Sequence, residues 1–318
     1  MRRVAALLVL SAVLTTTACA SSSAANVPGP DFPSGLPTST GPTPAVTSGE
    51  GMPTVDGGFG TKPTINFPDA DAPGALQIQV LVTGTGTVVA KGDLLVTNYV
   101  GQVWKGKVFD SSFARSAPVG FPIGTGKVIT GWDTSLVGLK VGTRALLSIP
   151  PAQGYGSKGN TSAGIAGTDT IVFVVDIVGA FNAKSTGDPA AAPQTPPAGG
   201  PQVTGALGER PKITIAAGMA TPATVTTVVL AKGNGAPVKA GLLVVQYEAV
   251  DWTSVIVGST WAKGIPESLQ VGGDNGAAVF AGVVGLPLGS RVLVEIPATT
   301  GASPQKPLAL VVDLVAQV

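Results

Sequence analysis

"TGWDTSLVGLKVGTRALLSIP", residues 130 to 150, holds a helix and the strand that follows it. Trp132, Leu136 and Leu139 fall at i, i+4 and i+7, so they share one helical face. Gly138 and Gly142 close that helix, and no other stretch of the surrounding unit reads convincingly as one. Around it, apolar-alternating runs are bounded by Gly, Pro and Asp turns, the pattern of antiparallel strands. The expected class is α+β: an antiparallel sheet with one short α-helix packed across it.

Part of the same stretch is then spelled a second time. "LVGLKVGTRALLSIP" (136 to 150) parallels "VVGLPLGSRVLVEIP" (283 to 297). "VAKGDLLVTNYVGQVW" (89 to 104) parallels "PVKAGLLVVQYEAVDW" (237 to 252), and "IVFVVDIV" (171 to 178) parallels "LALVVDLV" (308 to 315). Repetition over such a length predicts two units of one fold, placed at 69–182 and 208–318.

Composition narrows the chemistry. The 318 residues carry a formal net charge of +1 and only 12% charged residues, so no nucleic-acid surface is expected. There is no histidine and a single cysteine, Cys19. That removes His-based triads and metal ligands, an intrachain disulfide and a Cys zinc site. No Asp/Glu cluster of calcium-loop type is apparent, and neither a metal nor a cofactor is expected.

The front end reads as an address. Met1-Arg2-Arg3 precedes the apolar core "VAALLVLSAVL" (4 to 14), of signal-peptide length and too short to span a bilayer. "TTTACASSS" (15 to 23) ends the segment 1–19 in a lipobox-like spelling, with Cys19 as the lipidated residue; Thr16 stands where a lipobox usually has Leu. Ala18-Cys19-Ala20 also fits an A-x-A site for ordinary cleavage. The expectation is an exported chain held to the outer face of the membrane by an N-terminal lipid, with secretion as the alternative. Residues 20–68, rich in Pro, Gly, Ser and Thr, read as a disordered tether, and 183–207 as a second linker.

The two units differ in their rings. Nine aromatics lie in 69–182 and four in 208–318. The surplus marks either a pocket or a core that the second unit fills with Val and Leu.

"VTNYVGQVWKGKVFDSS" (96 to 112), "FPIGTGKVITGWDTSLVGLKVGTRALLSIPPAQGYGSKG" (121 to 159) and "DTIVFVVDIV" (169 to 178) resemble the FKBP-type peptidyl-prolyl cis/trans isomerases over about one whole domain. The resemblance implies an apolar pocket between sheet and helix, working without a cofactor. Trp132 forms its floor; Tyr99, Phe109 and Phe173 form walls, with Phe121 beside them; Val128 and Ile129 line the edge before the helix. Asp110 sits at the rim, Tyr155 offers its hydroxyl to a substrate carbonyl, and Ile165 brings its backbone N–H on a flap. Val119 stands where many members carry a second pocket Phe, which widens or flattens one wall. The implied partners are proline-containing polypeptides, with a macrolide as a further ligand class. On the residues alone Asp110 also reads as a turn carboxylate, and Tyr99, matched by Tyr247, as a structural residue.

In the second unit Val279 falls where Trp132 stands, "VIVGSTW" (255 to 261) replaces the "FDSS" region, and "ATTGASPQKP" (298 to 307) lacks the tyrosine. The unit is expected to be a degenerate copy without activity. The function expected of the chain is isomerisation of X-Pro bonds in exported proteins, by the first unit alone. The alternative is a non-catalytic chaperone or cell-envelope peptide-binding lipoprotein that keeps the fold.

Overall fold

The computed structural model describes residues 51–274, 276–300 and 304–318; the segment 1–19, Cys19 and the tether up to residue 50 lie outside the described residues. The described residues form two compact units that divide after Asn182.

The first unit begins with a hairpin, β1 (Thr54–Asp56) and β2 (Thr64–Asn66), followed by β3 (Gln77–Val82), β4 (Leu94–Val103), β5 (Val108–Ser111) and β6 (Val119–Pro122). The helix α1 (Thr130–Ser135), β7 (Arg144–Ile149) and β8 (Ile171–Phe181) complete it. The main sheet is antiparallel in the order β3-β7-β8-β4-β5, and β6 also pairs with β4. One face packs Leu95, Tyr99, Leu147, Ile149, Phe173 and Val175 against Trp132 and Leu136 of the helix region. The helix is shorter than the 130–139 expected. Leu136 N–H still donates to Trp132 O, but Gly138, at φ 90°, turns its N–H to Val89 O and ends the run.

The opposite face of the sheet is covered too, and the sequence reading missed what covers it. Residues 51–68 were expected to belong to the tether, yet β1 and β2 pair in register and Ile65 is buried against Val100, Leu146, Val172 and Val174. Arg144 fixes the hairpin in place. Its Nε and Nη2 donate to Asp176 at 2.6 and 2.7 Å, its Nη1 to Gly57 O at 2.6 Å and its Nη2 also to Thr61 O at 2.7 Å. Gly60 N–H donates to Asp176 Oδ2 at 2.8 Å. A Gly/Pro-rich loop thus becomes ordered because a buried guanidinium supplies the donors that its carbonyls need.

The second unit runs β9 (Ala192–Pro193), β10 (Gln202–Thr204), β11 (Lys212–Thr214), β12 (Thr226–Lys232), β13 (Gly241–Asp251), β14 (Ile256–Ser259), α2 (Thr260–Lys263), β15 (Glu267–Val271), β16 (Arg291–Ile296) and β17 (Leu308–Gln317). Its sheet order is β14-β13-β17-β16-β12-β9, with β15 also on β13. β10 and β11 form a hairpin held by Arg291, which pairs with Asp313 and donates to Ala206 O and Glu209 O. The linker expected at 183–207 is therefore largely part of this unit: β9 pairs with β12, Ala191 is buried, and Asp188 N–H donates to Gly289 O at 2.9 Å. "VDGGFGTKPTIN" (55 to 66) against "VTGALGERPKIT" (203 to 214) was the overlooked signal. The element expected to cross this second sheet as an α-helix is a 3₁₀ helix over Ala278–Val283. It buries Phe280 and Val283, so the ring that fills this region stands one position after Val279.

Candidate functional site

Every apolar residue singled out in the first unit joins one cluster. Tyr99, Phe121, Val128, Ile129, Trp132, Ile165 and Phe173 are buried in it, while Phe109, Val119 and Tyr155 pack against it and keep part of their surface. β4 delivers Tyr99, β5 Phe109, β6 Val119 and Phe121, β8 Phe173, and α1 Trp132. The rings meet mostly edge to face, the arrangement their quadrupoles favour. Trp132 lies 5.4 Å from Tyr99 at 88°, 5.1 Å from Phe173 at 82° and 5.0 Å from Phe121 at 59°. Phe109 lies 5.5 Å from Phe173 at 86°. Trp132, expected as a pocket floor, contacts three of these rings and its relative exposure is 0%.

Each residue of "FDSS" has a separate task. Phe109 contributes the ring. Asp110 accepts a short hydrogen bond from Tyr99 Oη and a short charged one from Arg115 Nη1, and Ser111 N–H donates to its Oδ1 at 2.8 Å. Ser112 Oγ accepts from Tyr99 N–H at 2.9 Å and donates to Asn98 Oδ1 at 3.1 Å. Asp110 thus binds its neighbour's backbone, as the turn reading expected, and also anchors the buried phenol.

Arg115 was not anticipated. Its Nη2 donates to Tyr99 Oη at 2.9 Å and its guanidinium carbon lies 5.8 Å from the Tyr99 ring centre. Tyr99, Asp110 and Arg115 form a closed triangle at one end of the aromatic cluster. Burial first, and then the bond to Asp110, pushes the Tyr99 hydroxyl above the ordinary phenol range, so it stays a neutral donor. With the carboxylate matched by the guanidinium, the cluster carries little net charge.

The flap departs from expectation at one atom. Asn160 and Ile165 exchange backbone hydrogen bonds at 2.8 and 2.9 Å, and Ala163 N–H donates to Asn160 Oδ1 at 3.1 Å. The Ile165 N–H, expected to face a substrate, is spent on closing this small hairpin, while its side chain is 3% exposed in the cluster.

The sequence pattern described as FKBP-type peptidyl-prolyl cis-trans isomerase matches residues 86–178. An FK506-binding protein of Streptomyces anulatus is 39% identical over 118 residues, covering 37% of this chain and 95% of that protein. The chain belongs to the FKBP-type peptidyl-prolyl cis-trans isomerase family. FK506-binding protein 1 of Debaryomyces hansenii is 42% identical over 108 residues, 34% of this chain and 96% of that one. The crystal structure of AtFKBP13 shares 35% identity over 34% of this chain and 94% of its own, at a TM-score of 0.31. Within this FKBP-type chain the matched span contains every predicted site residue of the first unit, from Tyr99 to Phe173.

Proposed function

We propose that the chain is an exported, lipid-anchored prolyl isomerase whose first unit turns X-Pro bonds in proteins folding outside the cytoplasm. The observation that carries this reading is the ring cluster closed by Tyr99, Asp110 and Arg115, on a chain of this family. Rotation about an X-Pro bond has to break amide resonance, with a barrier of roughly 20 kcal/mol. No bond to the enzyme forms, so neither a nucleophile nor a cofactor is required. A planar amide is more dipolar than a twisted one, so apolar surroundings favour the twisted state in relative terms, which is differential binding of the transition state. In this reading the proline ring packs towards Trp132 between Phe109 and Tyr155, and Tyr155 Oη holds the preceding carbonyl. Macrolides of the class that binds FKBP relatives compete for the same rings.

The test uses the full chain and an X-Pro peptide whose exchange is followed directly. Faster exchange than in buffer, lost in Phe109→Ala/Asp110→Ala, supports the proposal; exchange no faster than buffer ends it. The second unit is read as a degenerate, inactive FKBP-like domain, because Val257, Gly258 and Leu310 hold the register positions of Phe109, Asp110 and Phe173. That replacement also favours the alternative, a non-catalytic chaperone or peptide-binding lipoprotein: client protection against aggregation that survives loss of Phe109 and Asp110 is its expected result. Cys19 as a lipidated N-terminus predicts a mature chain starting at Cys19 with the added mass of acyl chains; an unmodified start after Ala20 returns the chain to the secreted alternative.

A further inference from the structure

The outer face of the second unit's sheet contains a groove of about 360 Å³, bordered by the Pro196–Pro201 segment, Met219 and Trp252, with Val228 and Leu293 beneath. Among the described residues Glu295 is the one charged side chain that lines it. The first unit allows a comparison at the same address. There the residue two positions before the hairpin is Met52, which packs on the outer-face core with Phe67 and Trp104. In the second unit the residue two positions before its hairpin is Gly200, which has no side chain to fill that space. A Cβ built on Gly200 meets only Glu295 Oε1, at 3.8 Å.

The polar groups have changed as well. Gln77 faces Ser148 across β3 and β7; the corresponding cross-strand pair on β12 and β16 is Thr226 with Glu295. Thr226 Oγ1 donates to Glu295 Oε2 at 2.7 Å, which orients the carboxylate. Oε1 accepts no hydrogen bond among the described residues. Trp252 is fixed at the other side by donation of its Nε1–H to Met219 O at 3.2 Å. A site that is plugged in one copy is thus hollow in the other, and the hollow has gained a negative charge between an indole, a thioether and proline rings.

We propose that this groove binds an organic cation: an ammonium group on an aliphatic or aromatic body, as in a free amine or a lysine side chain. The head pairs with Glu295 Oε1, and the body lies along Trp252, Met219 and Leu293. Two neutral-to-apolar walls alone would take any apolar group; the lone oriented carboxylate selects the cation. The inference is independent of the isomerase reading, since none of these residues belongs to the ring cluster of the first unit.

The full chain is titrated with phenethylammonium, its neutral counterpart phenethyl alcohol, and N-acetyl-lysine amide, following the Trp252 indole N–H resonance. The expected result at low salt is a preference of about fivefold for phenethylammonium over the alcohol, the scale of a partly exposed ion pair. Glu295→Gln keeps the shape and removes that preference. Gly200→Met refills the groove as Met52 does in the first unit and weakens both ligands, while X-Pro exchange by the chain stays unchanged in either variant. Binding of the lysine amide together with the amine identifies polypeptide lysines as a source; binding of the amine alone identifies small amines; both support the site. Equal binding of amine and alcohol, an unchanged preference in Glu295→Gln, or no binding at millimolar ligand overturns it. Should Gly200→Met fail to fold, the Glu295→Gln comparison decides alone.

Discussion

A Cβ added at Gly101 would stand 2.6 Å from Phe173 Cε1 and 2.7 Å from Phe109 Cζ. The missing side chain is what lets the two rings meet edge to face over β4. Gly101→Ala is expected to push them apart, destabilising the first unit by about 1–3 kcal/mol and lowering X-Pro exchange; urea unfolding and the exchange assay check the two effects. Unchanged stability would show that the rings have room to spare. Arg115 completes the charged triangle with Tyr99 and Asp110. Replacing it with Met leaves Asp110 half-buried with only Tyr99 and a backbone donor, and a loss of about tenfold in kcat/KM corresponds to roughly 1.4 kcal/mol of lost transition-state orientation. The exchange rate of the Arg115→Met chain reads this directly. That Phe109 and Trp132 share one aromatic cluster was legible because the runs 96–112 and 121–159 spell them. Arg115 was not, because a lone arginine in "FARSAP" (113 to 118) looks like any solvated surface residue until the turn after β5 brings it back over Tyr99.

At the scale of elements, the two hairpins show where composition misleads. Pro, Gly and Thr between 51 and 68 signal a chain unable to bury enough surface to order itself. That holds for an isolated segment. It fails here because Arg144, from β7, carries the donors and Ile65 finds a ready apolar face; neither partner is near in sequence. Arg144 and Asp176 are each 1% exposed, so Arg144→Met strands a buried carboxylate and is expected to cost about 3–5 kcal/mol, measured as an earlier urea transition. The turn joining β13 to β14 supplies a pH-dependent counterpart. Burial, the largest single influence, pushes the Asp251 carboxyl up, but it is outweighed by the Thr253 hydroxyl and N–H, Lys306 and the Val255 N–H, which hold it at about 2. Its folded value thus lies below the unfolded one of about 3.9. The stability it contributes is present above about pH 4 and is lost as pH falls towards 2. Asp251→Asn is expected to flatten that part of the acid-unfolding curve; an identical slope in the variant would mean that the turn is not a source of it.

Across the whole molecule the two units apply one strand plan to different side chains, and the differences depend on one another. Ala249 occupies the register position of Gly101, opposite Gly258 and Leu310 where the first unit has Asp110 and Phe173. The methyl of Ala249 is tolerable only because Val257 and Leu310 are narrower than Phe109 and Phe173. Beside narrow partners a glycine has no task and alanine adds bulk; a ring at position 257 would crowd the Ala249 methyl. Val257→Phe in the full chain is therefore expected to destabilise the second unit by about 1–3 kcal/mol. Ala249→Gly/Val257→Phe should be more stable than Val257→Phe alone, although Ala249→Gly by itself costs stability, because the two substitutions share one volume and are not additive. Thermal unfolding of the parent and the three variants measures the coupling directly. If Val257→Phe unfolds at the parental temperature, the register position of Ala249 does not constrain the rings, and the coupling between positions 249 and 257 has no support.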